Sequence, residues 1–215
     1  MRSRAGGEFV LGRMLALGCL VACAVAAQDA IYFERVFPGA VPERFEVVLR
    51  SDGAATYAES GEEPFELSIG DAEIAPLFEL AAALDYFKKP LASKRRVAST
   101  GSKVLRYESD GRVRGEARFD YSEVREAREV ASWFVRLAET QQHLQTLERT
   151  YRFDRLGVNE ALVKLEQAYE RDRIAAAELL VPILTKVAAH ERIVHLARAR
   201  AQGMLERIAA QGRRR

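Results

Sequence analysis

The 215-residue chain has two cysteines, Cys19 and Cys23, and both fall within its first 27 residues. From residue 28 onward there is no thiol. That excludes a thiol nucleophile, a thiolate zinc site, CxxC redox chemistry and disulfide stapling of the folded part. Neither charge sign dominates, with Lys and Arg at 33 against Asp and Glu at 31. Residues 1–27 hold three of those bases and one of the acids, so residues 28–215 balance at 30 of each. Such neutrality gives no electrostatic argument for nucleic acid. Tryptophan occurs once, at Trp133, which offers little surface for stacking sugar rings. What the chain does have is 48% hydrophobic and 30% charged residues. It can bury a core and cover it, so wholly disordered, collagen-like and disulfide-scaffold classes are excluded.

Residues 14–27, Met-Leu-Ala-Leu-Gly-Cys-Leu-Val-Ala-Cys-Ala-Val-Ala-Ala, are uncharged and mostly apolar. Spanning a bilayer takes about 20 apolar residues, and this run is shorter. Basic residues before it and small residues at its end give the order of a secretory signal peptide, here 1–27. Ala24-Val25-Ala26 is an A-x-A cleavage site, and Ala27 before Gln28 offers a second. Leu20-Val21-Ala22-Cys23 also fits a lipobox, in which Cys23 is acylated and becomes the first residue. Only seven residues would then separate Cys23 from the first strand, a short tether, so plain export is preferred. The expected address is periplasmic or secreted, with membrane anchoring through Cys23 as the alternative. No transmembrane helix is expected in the mature chain.

Beyond residue 28 the hydrophobic period switches between two and 3.6. Residues 31–37 are an aromatic-rich strand ended by Pro38-Gly39. Phe45, Val47 and Leu49 alternate with polar neighbours, Ser51-Asp52-Gly53 supplies a turn, and strands follow near 54–58 and 64–68. Ile74, Leu77, Phe78, Ala81 and Leu84 make one face of a helix over 71–84, with Pro76 placing its start at Asp71 or slightly later. Strand 103–108, turn Ser109-Asp110-Gly111, strand 113–121 and a helix capped by Ser122 then repeat the order as a second ββα unit reaching about residue 140. Val130, Phe134, Leu137, Leu144, Leu147 and Tyr151 form a long stripe. Gly157 reads as its stop and Asn159 as the cap of a helix carrying Val158, Leu162, Leu165 and Tyr169. A third helical region runs from Ala175 to Ala210, with a break near Ala189-His190. The expectation is an α+β protein. Residues 28–121 form an antiparallel sheet with a packed helix, and 122–215 form a helical hairpin or small bundle ending in the basic tail Arg213–Arg215. The stripe at 130–151 has a mate in the stripe at 158–169, so a monomer is expected.

Tyr32-Phe33-Glu34-Arg35-Val36-Phe37-Pro38-Gly39, Phe119-Asp120-Tyr121-Ser122 and Arg152-Phe153-Asp154-Arg155-Leu156-Gly157-Val158-Asn159 resemble a family of uncharacterised exported bacterial proteins, over most of the mature chain. Residues 45–140 are also similar to a broader group of small exported α+β domains. The resemblance implies export and the α+β fold. It supplies no catalytic residue, ligand or substrate.

Chemistry-bearing patterns are few. His143, His190 and His195 are the only histidines; the last two, five apart, would lie about 140° apart on one helix, unlike an i, i+4 zinc pair. No metal and no cofactor are expected. Ser99-Thr100-Gly101-Ser102-Lys103 lacks the spacing of a P-loop and precedes a strand rather than a helix, so it reads as a polar turn. Glu123, Glu126 and Glu129 interleave with Arg125 and Arg128 as a solvated helix face. The basic cluster Lys88, Lys89, Lys94, Arg95 and Arg96 is a candidate contact for an anionic surface. The sequence therefore points to an exported, non-enzymatic binding or assembly module whose partner is an unknown protein or anionic envelope component. Its rival is a hydrolase with a carboxylate pair assembled from distant residues. Export itself is checked by sequencing the mature N-terminus. Ala27 or Gln28 is expected as the first residue, acylated Cys23 would select the anchored form, and retained Met1 or Met14 would refute export.

Overall fold

The computed structural model describes residues 28–95 and 98–213. The expected leader, Cys23, Arg96 and the last two arginines lie outside the described residues. Period-two segments form six strands: β1 (Ala30–Val36), β2 (Arg44–Arg50), β3 (Ala54–Glu59), β4 (Phe65–Ser68), β5 (Ser102–Ser109) and β6 (Arg112–Phe119). They make one antiparallel sheet in the order β4-β3-β2-β1-β5-β6. The first strand is thus central. Both Asp-Gly hairpins flank it: β2–β3 on one side and β5–β6 on the other. The two turns are not copies. Asp110 and Gly111 both have positive φ (55° and 68°), whereas in the first turn Gly53 does (88°).

Alternation sends one set of side chains inward. Phe33, Val47, Leu49, Leu105 and Tyr57 are buried under the helices α1 (Asp71–Ala83) and α2 (Arg125–Phe153). The opposite face is wet and self-paired. Arg44 meets Glu34 at 2.7 Å, Arg106 meets Glu116 at 2.8 Å and lies 4.6 Å over the Tyr32 ring, and the Tyr32 hydroxyl donates to Glu46 at 3.0 Å. Partial burial, with Glu46 and Glu34 beside it, pushes the Tyr32 phenol up to about 12.

Two apolar cores result. The first joins the sheet, α1 and the N-terminal half of α2 as far as Ala138, with the Phe134 ring stacked on Phe33 at 4.9 Å. The second joins Leu147 of α2 to α3 (Val158–Glu170), α4 (Val181–Ala189) and α5 (His195–Gly212). Leu144 and Tyr151 pack against this second core, so the long stripe is covered by its own chain. No helix among the described residues is long and apolar enough to cross a membrane.

Several local signals resolve differently from the sequence expectation. Ser122 does not cap α2. Its Oγ accepts from the Val124 N–H at 3.2 Å, closing a turn ahead of a helix that starts at Arg125. Asn159 lies inside the first turn of α3 rather than at its cap. The corner is organised instead by Asp154, whose Oδ1 accepts from the Gly157 N–H at 3.0 Å. Gly157 is right-handed (φ −70°), so it is not the left-handed stop expected for α2. A Cβ there would meet the Asp154 carboxylate, the end of an exposed side chain, and would disturb the bond between them. The break expected near Ala189-His190 is present, between Ala189 and His195, so His190 and His195 do not share a helix. His190 instead packs edge-on against Tyr151, and its Nδ1 accepts from the Arg192 N–H.

After α1 the chain makes a left-handed turn, Asp85, Tyr86 and Phe87, with φ of 51°, 54° and 62°. Each residue held there costs about 1–2 kcal/mol. Phe87 is fully buried and anchors the turn. Gly115 of β6 makes room for it, since a Cβ there would strike the Tyr86 carbonyl and sit 2.9 Å from the Lys88 nitrogen.

Two polar contacts brace this packing, one between the cores and one within the second. Thr140, fully buried in mid-α2, donates to the Ala175 carbonyl at 2.8 Å and accepts from the Ala175 N–H at 3.2 Å. Thr140→Val keeps the shape but orphans both groups, so a loss of about 1–3 kcal/mol is expected in urea unfolding. Glu166 of α3 is held by Arg200 and Arg207 of α5. Burial alone would raise its carboxyl, but Arg207 and Arg200 outweigh that and hold it below the usual range. A depressed folded value means that the contribution is full above the ordinary glutamate range and is lost as pH falls through the folded value. Glu166→Gln is therefore expected to destabilise at pH 7 by about 1.5–3 kcal/mol and to flatten the acid limb of a stability–pH curve.

Candidate functional site

At the end of the sheet where β1 finishes, the inward register changes from apolar to charged. Ile31, Phe33 and Arg35 share one face of β1, and Arg35 stands directly across from Lys103 on β5. Lys103 is 8% exposed, unusually low for a lysine. Its ammonium donates to the Asp120 carbonyl at 2.7 Å, the Gly101 carbonyl at 2.9 Å and the Thr100 hydroxyl at 2.9 Å. Those contacts use its three protons and pin the turn at 99–101 to the end of β6. Burial lowers its pKa; Asp120 opposes that shift and Arg35 adds to it. The Thr100 N–H donates to Asp120 Oδ1 at 2.7 Å. The Ser99–Lys103 string is therefore an internally satisfied turn.

Helix α2 passes over this corner. Arg128, Ser132 and Arg136 recur every four residues along one stripe, with Val135 beside them. The loop after α3 brings up Asp172 and Arg173. Together these elements enclose an open cleft of about 440 Å³, within the size range of small-molecule sites. Phe119, Ala131 and Val135 give it apolar walls.

Five cations and three acids line the cleft: Arg35, Lys103, Arg128, Arg136 and Arg173 against Asp120, Glu139 and Asp172. Arg136 pairs with Asp172 at 3.0 Å and Arg173 with Glu139 at 3.1 Å, while Asp120 faces Lys103. Arg128 donates to the Ser122 carbonyl at 3.0 Å. Arg35 has no acidic partner among the described residues, and its guanidinium lies 5.1 Å over the Phe37 ring. Burial of Arg35 lowers its pKa. Among the described residues, two positive charges of the cleft, Arg35 and Arg128, are left without acids.

A neighbouring cavity that shares Glu139 and Arg173 with the cleft is lined by His143. Its Nε2 lies 3.9 Å from the Glu139 carboxylate. Burial shifts both groups toward neutrality, raising Glu139 and lowering His143, with Arg173 opposing the first shift and adding to the second. A separate cavity of about 420 Å³ gathers Asp71, Glu73, Asp172 and Glu178 from distant parts of the chain. Glu178 accepts from the Gly70 N–H at 3.2 Å and Glu73 from the Trp133 indole at 2.7 Å, so both hold the fold. A general acid needs a carboxyl shielded from water, and Asp71, Asp172 and Glu178 are exposed. Among the described residues no three His, Cys, Asp or Glu side chains form a metal set.

The basic loop singled out in the sequence stands apart from the cleft lining. Lys88, Lys89, Lys94 and Arg95 are exposed. Lys88 pairs with Asp85 at 3.3 Å and Arg95 with Glu123 at 2.8 Å. The cleft cations come instead from β1, β5, α2 and the loop after α3, so no local cluster announces them. One signal was legible. Arg35 and Lys103 occupy inward positions of strands whose other inward residues are apolar, which is unusual for a charge. Comparison with protein-family models, curated proteins and solved structures finds no match for the chain.

Proposed function

We propose that the protein is an exported, non-enzymatic binding module of the bacterial cell envelope, acting as a monomer, with its ligand held in the cleft between sheet end, α2 and the α3–α4 loop. The cleft carries this reading: it is roomy, apolar-walled, and lined by inward-register cations that packing alone does not require. The order of residues 1–27 and the resemblance to exported proteins support the address. The wet sheet face supports the choice of the cleft, because its charges already pair with one another. The hydrolase reading draws on the acidic cavity, but the exposed or structurally engaged carboxylates there place binding first.

Native mass spectrometry of the protein purified from its own envelope tests the proposal. A bound small molecule is expected, released on denaturation. Ser132 is exposed on the cleft wall, so Ser132→Trp fills the space without touching either core. That variant should retain its melting temperature and lose the ligand. Retention of the same ligand by Ser132→Trp would refute the cleft as the site.

A further inference from the structure

We propose that the cleft is a site for an oxyanion, a carboxylate or phosphate group, carried on an apolar stem. This rests on the reading of the cleft as a ligand site and adds the chemistry of the ligand.

Like charges facing each other across neighbouring strands destabilise a sheet, and Arg35 faces Lys103 in register on the helix-covered side. Lys103 is neutralised locally, by three backbone and hydroxyl acceptors and by Asp120. Arg35 is not. No described residue accepts a hydrogen bond from it, and its Nε is buried without a partner. The Nε of Arg136, on the same cleft, is buried without a partner as well. Buried donors left unpaired within the chain are open to an acceptor from outside it, water or ligand.

An oxyanion meets each of these demands. Guanidinium groups present flat paired donors that match a carboxylate or phosphate, and the attraction is stronger in a partly dehydrated cleft. The uncompensated pair, Arg35 and Arg128, allows a ligand of one or two negative charges. Phe119, Ala131 and Val135 present no hydrogen-bonding side chain, so the remainder of the ligand against them is apolar. The volume, about 440 Å³, suits a small molecule or one chain of a lipid rather than a folded partner.

Titration calorimetry on the chain from residue 28 onward, which holds every described residue, tests this. The probes are decanoate, decyl phosphate, acetate, inorganic phosphate and decyltrimethylammonium. Either decyl anion should bind, acetate and inorganic phosphate should bind at least about tenfold more weakly for want of the stem, and the decyl cation should not bind. The ratio of decanoate to decyl phosphate identifies the head group. Arg35→Gln should weaken the anion about ten- to a hundredfold. Without ligand, the same variant should melt no lower than the parent, because it relieves repulsion with Lys103. A structural role would give the opposite, a lower melting temperature. Should Arg35→Gln fail to fold, Arg128→Gln takes its place: lost affinity for the decyl anions supports the site, and unchanged affinity overturns it. Decyl-anion binding that survives Ser132→Trp lies elsewhere and also overturns it. If the decyl cation binds in the cleft and the anions do not, the oxyanion assignment fails while the binding reading stands. If no decyl probe binds and no native ligand is captured, both fail.

Discussion

The organisation of the molecule depends on a single helix being buried twice. α2 has 29 residues, a rod of roughly 44 Å at the usual rise per residue. Its first half lies on the sheet, where Phe134 stacks on Phe33, and its last turns supply Leu147 to the helical core. A rigid rod shared by two cores fixes their relative placement. The Thr140 hydroxyl, in the stretch between them, adds a directional bond to Ala175. Hydrophobic burial does not specify direction, so a satisfied buried hydroxyl of this kind sets the register that apolar packing leaves open.

The cleft is a by-product of that placement. It opens where the sheet's apolar register has run out and where α2 and the loop after α3 close over the gap. A fold selected for stability alone would put an apolar residue at position 35 or pair it with an acid. Instead Arg35 faces Lys103 under the helix layer, and the excess charge is left standing. Such local conflict with the packing rules concentrates where a protein binds something. The contrast with the opposite sheet face is instructive. There, more charges stand close together, yet Arg44 pairs with Glu34 and Arg106 with Glu116 on the neighbouring strands. That surface is solvated rather than poised.

Much of the fold was legible because it rests on short-range periodicity. The strands at 31–37, 45–50 and 103–108, the two Asp-Gly turns and the helix at 71–84 each declare themselves within about ten residues. The capping signals were less faithful. Ser122 and Asn159 are good cap residues in isolation, but the helix starts were set by where Ala127 and Val130, and then Val158 and Leu162, reached their cores. Gly157 reads as a stop for its backbone freedom, whereas in the fold it is right-handed and its N–H donates to Asp154. In each case tertiary packing overrode a preference of a kcal/mol or so.

The sequence by itself determined the α+β class, the wet and dry faces of the sheet, and the absence of thiol chemistry beyond residue 28. Period and composition carry those properties, and both can be read along the chain. Tertiary structure alone decided the strand order that puts β1 in the centre, the division of α2 between two cores, and the cleft. Arg35, Lys103, Arg128, Arg136 and Arg173 are scattered over nearly 140 positions and converge only when β1 pairs with β5 and α2 crosses above them. Electrostatic sites depend on distance in space, and a one-dimensional pattern holds no record of that distance until the chain has folded.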